Sequence, residues 1–117
     1  MSIQKIKQFH IYLANLDPPF GTEPGKTRPV IVVQSDLLND LNHHSTLVCP
    51  LTRGVVPEGH PLRLYLSKKD SGLKEDSDIL VDQIRAIDNR RFAKEIGHLK
   101  KKHQEQLMRN LQIVLFE

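Results

Sequence analysis

A single cysteine, Cys49, occurs in the whole sequence, and that scarcity excludes a disulfide framework and a zinc centre built on thiolates. With Leu47, Val48 and Leu51 around it, Cys49 reads as a small buried hydrophobe rather than a reactive thiol. Long apolar runs are missing too. No segment approaches membrane-spanning length, and Met1-Ser2-Ile3-Gln4-Lys5 has no apolar core of signal-peptide length, so a soluble, cytoplasmic protein with no membrane partner is expected. There is no internal repeat, no low-complexity tract and no linker that would divide the chain. The six histidines offer no metal site: His43 and His44 are adjacent and point apart, and His10, His60, His98 and His103 have no partner at ligand spacing. Dense basic clusters are also absent. The net charge is +3, with five Lys/Arg against five Asp/Glu in residues 1–60 and twelve against nine in residues 61–117. Such an excess permits an anionic partner without requiring one.

What is present is enough for one core. At 117 residues and 38% hydrophobic content, the chain is expected to be a single domain over residues 1–117. Its organising stretch is Phe20-Gly21-Thr22-Glu23-Pro24-Gly25-Lys26-Thr27-Arg28-Pro29, followed at once by Val30-Ile31-Val32-Val33. The first part is loop chemistry, because Gly21 and Gly25 permit positive φ and Pro24 fixes its own. The second is a β-branched run suited to a buried strand. Arg28 stands at the junction, where a rigid strand can aim its planar, permanently charged fork at a phosphate or carboxylate. Ordinary turn punctuation accounts for the same residues if Arg28 only caps a strand edge or pairs with Glu23.

Periodicity supplies the remaining elements. Residues 7–16 alternate as a strand, with Phe9, Ile11 and Leu13 on one parity and His10, Tyr12 and Ala14 on the other, until Asp17-Pro18-Pro19 ends it. Further strands are expected over 28–34, 46–52, 62–66 and 78–87, with a short one near 93–97. Ser35 caps a brief helical turn. Leu107, Met108, Leu111, Val114 and Leu115 recur at helical offsets and mark a C-terminal amphipathic helix. Its start carries Lys100-Lys101-Lys102, cations that oppose the helix dipole by about 0.3–1 kcal/mol each. They are either a solvated run or a contact for an anionic partner. Short strands, long loops and one terminal helix describe a mainly β fold: a small, curved, antiparallel, barrel-like sheet with the helix packed on it.

Four segments then carry a resemblance: Leu16-Asp17-Pro18; Gly21-Thr22-Glu23-Pro24-Gly25-Lys26-Thr27-Arg28-Pro29-Val30; Val48-Cys49-Pro50-Leu51-Thr52; and Val81-Asp82-Gln83-Ile84-Arg85-Ala86-Ile87-Asp88. Ordered and spaced as they are, they resemble the MazF/PemK family of toxin endoribonucleases over nearly the whole chain. The resemblance implies an SH3-like fold of the plasmid-maintenance-toxin type, a homodimer, and metal-independent, cofactor-free cleavage of single-stranded RNA at short motifs. It also implies a cognate antitoxin with an acidic, partly disordered tail. By the same resemblance the catalytic arginine falls on Arg28, a strand-end threonine on Thr52, a loop glutamate on Glu23 and a base-contacting glutamine on Gln83, on the fifth strand. The chain departs from the family pattern at Lys7-Gln8, His98 and Lys100.

RNA can be cut without a metal because its own 2′-hydroxyl lies beside the phosphorus. The protein must then remove that proton, neutralise the extra transition-state charge and protonate the departing 5′-oxygen. Arg28 is the electrostatic stabiliser, Thr52 offers a hydroxyl to a non-bridging oxygen, and proton movement falls to Glu23 or to substrate and water, although the resemblance also admits a general acid/base role for Arg28. Phe20 is placed either to stack on a base or to pin its loop to the core. Lys26 and Arg53 are placed to track the phosphate backbone, or are plain solvated charges. Two other functions suit the pattern: a CcdB-like gyrase poison, although the tail Val114-Leu115-Phe116-Glu117 lacks that relative's Trp-Gly-Ile-like ending, and a non-catalytic SH3-like binding module.

Overall fold

The computed structural model describes residues 5–17, 21–22 and 26–116. Strand β1 (His10–Asn15) pairs antiparallel with β2 (Thr27–Val32), and β2 with β3 (Ser45–Thr52). On its other side β3 meets two short strands, β5 (Ser77–Leu80) near its end and β6 (Arg85–Asp88) near its start. Strand β4 (Arg63–Leu66) closes one margin against β5, and β7 (Phe92–His98) the other against β1. The order runs β4-β5-β3-β2-β1-β7 with β6 beside β3. The expected antiparallel sheet is therefore present, and it is not closed. Register shifts in the β1–β7 pair, between Ile11 and Tyr12 and between Leu13 and Ala14, bend it.

The expected strand over 78–87 is interrupted. Val81–Gln83 form a 3₁₀ turn, and the pairing with β3 steps by three residues across it, the length of the turn itself. Val81 is buried inside the turn, and the Cys49 thiol lies 3.9 Å from its carbonyl. The segment needs the turn because its two ends pair with opposite ends of one continuous β3.

Period-two alternation sorts the strand residues into two apolar clusters. Ile11, Ile31, Cys49, Leu51, Leu64, Leu66, Ile79 and Val81 share one with Leu99 and Leu107. Tyr12, Ala14, Val30, Val32, Val48, Ile87 and Phe92 share the other, where the Tyr12 and Phe92 rings meet edge-on at 5.4 Å. Each fully buried Leu, Ile or Val contributes about 1.5–3 kcal/mol, so both faces of the sheet hold it together. Burial pushes the Cys49 thiol up to about 12, so it stays protonated and inert, as its apolar neighbours suggest.

Helix α3 (Lys101–Phe116) lies on the first cluster through Leu107, with Leu111 and Val114 packed alongside, and it touches the 3₁₀ turn and β4. It begins within the lysine run. Helix α2 (Lys68–Ser71), capped by Ser67, brings Asp70 beneath that end. Its carboxylate lies 3.1 Å from Lys100 Nζ and 3.7 Å from Lys102 Nζ, and the Lys100 hydrogen bond holds its pKa below the usual carboxylate range. An internal acid thus offsets part of the cationic penalty. The expected cap at Ser35 is also present: its side chain accepts from the Leu38 N–H at the start of α1 (Asp36–Asn39).

Gly97 in β7 leaves no room for a side chain, since a Cβ there would lie 2.9 Å from the Ser71 backbone oxygen at the end of α2. Gly97→Ala is accordingly expected to cost about 1–3 kcal/mol by forcing the two segments apart. A lowered midpoint in urea denaturation reads this out. An unchanged midpoint would mean that the α2 end yields freely.

Candidate active site

The β2–β3 register pairs Val30 with Pro50, and continuing it by two residues sets Arg28 opposite Thr52. Arg28 also pairs with Ala14 on β1, and Thr52 with Asp78 on β5, which in turn pairs with Tyr65 on β4. Alternation therefore places Ala14, Arg28, Thr52, Asp78 and Tyr65 in one row across five strands, on one face of the sheet. Ala14 belongs to the second apolar cluster, so the polar part of the row begins where that cluster stops.

Arg28 is half-buried, and its Nη1 donates to the Leu51 carbonyl at 3.3 Å. Its stem is thereby fixed against the end of β3, beside Thr52. The Thr52 hydroxyl oxygen accepts from the Gly54 N–H at 3.1 Å. That bond uses a lone pair and leaves the hydroxyl hydrogen to donate elsewhere. A planar cation and a hydroxyl donor on adjacent rigid strands can bind the non-bridging oxygens of one phosphate.

The segment over 17–26 joins β1 to β2 at the same end of the pair. Its base is closed by the Leu16 N–H, which donates to the Lys26 carbonyl at 2.8 Å, and by the Lys26 N–H, which donates to the Asp17 carboxylate. Lys26 itself has φ +64° and an exposed side chain. Glu23 and Phe20 lie outside the described residues. Arg53, one residue past β3, is 75% exposed and paired with Glu75 at 2.9 Å. An exposed pair of this kind is worth at most about 1 kcal/mol, so Arg53 can exchange Glu75 for a phosphate, but it is not part of the row. Gln83 is half-buried and ends the 3₁₀ turn. It does not sit on a strand as expected, because the turn replaces that part of the strand.

Two features escape sequence reading. Arg91 Nη1 donates to the carbonyls of Asn15 at 2.9 Å and Asp17 at 2.8 Å, clamping the start of the loop. It sits in a 3₁₀ turn (Asn89–Arg91) whose cap, Asp88, has its carboxyl pulled down to about 2 by Arg90's side-chain and backbone hydrogen bonds. The second is Asp78, 1% exposed although it lies on a polar row, and ion-paired with Arg63 at 3.1 Å. Only the adjacency of Arg90 and Arg91 to a strand start hints at the first, and nothing local marks the second. Among the described residues no group of three or more His, Cys, Asp or Glu could hold a metal, and no helix is long and apolar enough to cross a membrane.

The family described as PemK-like, MazF-like toxin of type II toxin-antitoxin system matches residues 7–115. The chain belongs to that family. It is 34% identical to Endoribonuclease EndoA of Bacillus subtilis (strain 168) over 110 residues, 94% of each chain. It is likewise 34% identical to Endoribonuclease MazF of Staphylococcus epidermidis over 94 residues, 80% of this chain and 78% of that one. Among solved structures, MazF from Deinococcus radiodurans matches with a TM-score of 0.79 at 23% identity, over 96% of this chain and 97% of that one. A MazE–MazF structure from the same organism matches at 0.72 and 19% identity, over 95% and 96%. The structural likeness fixes the fold, and the sequence relatives fix the family. Neither the gyrase-poison nor the binding-module reading is favoured by these matches.

Proposed function

We propose that this chain is a MazF-like endoribonuclease toxin that cuts single-stranded RNA without a metal or other cofactor. The observation that carries the reading is the Arg28 guanidinium held on the Leu51 carbonyl, next to Thr52 at the end of β3, in a chain 34% identical to named endoribonucleases. In the reaction, the 2′-oxygen of the substrate attacks the adjacent phosphorus and the bond to the 5′-oxygen breaks, leaving a 2′,3′-cyclic phosphate and a 5′-hydroxyl. Arg28 neutralises the charge that builds on the phosphoryl oxygens, and Thr52 donates to one of them. A guanidinium stays charged at any working pH, so removal of the 2′-hydroxyl proton and delivery of a proton to the departing 5′-oxygen fall to Glu23 or to substrate and water. Phe20, Lys26, Arg53 and Gln83 hold the RNA strand through stacking, charge and base contact.

The toxin acts in the cytoplasm as one domain over residues 1–117, as a homodimer, and is neutralised by an antitoxin whose acidic, partly disordered tail competes with RNA for the basic groups of the site. Relatives solved as MazE–MazF structures support such a pairing. The reading is tested by mapping new 5′-hydroxyl ends on total bacterial RNA after exposure to the protein, with and without EDTA. Ends gathered at a short recurring motif, undiminished by the chelator, are expected. Intact RNA would reject the activity, and cutting abolished by EDTA would reject the metal-free route.

A further inference from the structure

Asp78 breaks the pattern of its own strand. Its neighbours Ile79 and Ser77 face Leu64 and Leu66 on the core side, whereas Asp78 faces Thr52 and Tyr65 on the opposite side. A carboxylate on that face should meet water, yet it is 1% exposed because the loop over 53–62 folds back across it. Buried carboxylates persist where charge and hydrogen bonds satisfy them, and here both come from the loop and its flank. Asp78 Oδ2 accepts from the Val56 N–H at 2.9 Å and from Arg63 Nη1 at 3.1 Å. The same Arg63 nitrogen donates to the Gly54 carbonyl at 2.7 Å. Gly59 lies directly on the Arg63 stem, where a Cβ would come within 2.8 Å of Arg63 Cβ. The residue so held, Gly54, is the one whose N–H binds the Thr52 hydroxyl oxygen.

We infer that Asp78 and Arg63 are positioning residues for the proposed ribonuclease reaction: through Gly54 they fix the rotation of the Thr52 hydroxyl, so that its hydrogen is aimed at the phosphate. The path is short and continuous, from the Asp78 carboxylate to Arg63, from Arg63 to the Gly54 carbonyl, and from the Gly54 N–H to Thr52 Oγ1. Neither residue touches RNA in this scheme. Their contribution belongs to the rate of the chemical step and little to substrate binding, because misorientation of a donor is felt most when charge develops. The inference rests on the ribonuclease reading and adds to it the origin of the threonine's alignment.

The experiment is a double-mutant cycle in the full chain, with kcat and KM measured on a fluorophore–quencher single-stranded RNA built around the motif found by end mapping. Asp78→Asn keeps the shape and removes the charge. It is expected to lower kcat about tenfold with KM changed less than twofold. Thr52→Val should cause a similar loss, and the double variant should be no slower than Thr52→Val alone, since both changes remove the same aligned hydroxyl. If Asp78→Asn does not fold, Gly59→Ala takes its place in the cycle, because it displaces the Arg63 stem without altering any charge. Losses that multiply in the double variant, or a change confined to KM, would overturn the inference. Wild-type protein that leaves the RNA uncut would overturn the ribonuclease reading instead.

Discussion

Replacing Arg28 with alanine is expected to lower the rate of RNA cleavage by about 10²–10³-fold, the effect of removing one preorganised donor from a transition state that gathers negative charge. The fold should survive the change. Arg28 lies at the start of β2, outside both apolar clusters, and the bond of its Nη1 to the Leu51 carbonyl, at 3.3 Å, is a long one at a half-buried position. Circular dichroism and the urea midpoint should therefore stay close to wild type while single-turnover cutting collapses. Arg28→Lys is expected to recover little, because an ammonium lacks the planar fork that spans two phosphate oxygens. Undiminished cutting by a folded Arg28→Ala protein would remove the guanidinium from the chemistry.

Leu107→Ala should have the largest effect on stability, about 2–5 kcal/mol. Leu107 is 0% exposed and is the buried residue through which α3 joins the first apolar cluster, which also holds Ile31, Cys49, Leu64 and Ile79. Its neighbour Met108 is 50% exposed, so Met108→Ala on the same helix should shift the urea midpoint only slightly. Equal effects at the two positions would mean that α3 is rotated from the seat described above.

The parts of the fold that were legible in the sequence are those set by neighbours along the chain. Alternation from His10 to Asn15, the β-branched run after Arg28, the helical spacing from Leu107 to Leu115 and the Ser35 cap each declare themselves within a few residues. The 3₁₀ turn at Val81–Gln83 did not, because Ile79-Leu80-Val81 carries neither glycine nor proline. The interruption is imposed by β3, whose two ends both seek a partner. For the site, Arg28 stands out on its own chemistry at a loop–strand junction. Thr52 was visible only through family resemblance, since a threonine ending a strand is common. Arg63 and Asp78 were invisible and Arg91 was only hinted at by its place before a strand: their partners are 9 to 76 positions away in sequence, and no local pattern reports such contacts. Lys26 was legible as a charge but not as a residue at φ +64°, a conformation that glycine would have advertised.

Arg28 and Thr52 are carried on ladders, with β1 and β5 respectively, whereas the segment over 17–26 leaves the sheet between β1 and β2, with its base tied by Leu16, Lys26 and Arg91. On the proposed reading, the charge-neutralising groups and the loop's RNA contacts therefore sit on separate pieces of the chain, and loops tolerate replacement that a hydrogen-bonded ladder does not. On that reading, a lineage built on this plan can alter its RNA contacts while the blade itself stays set.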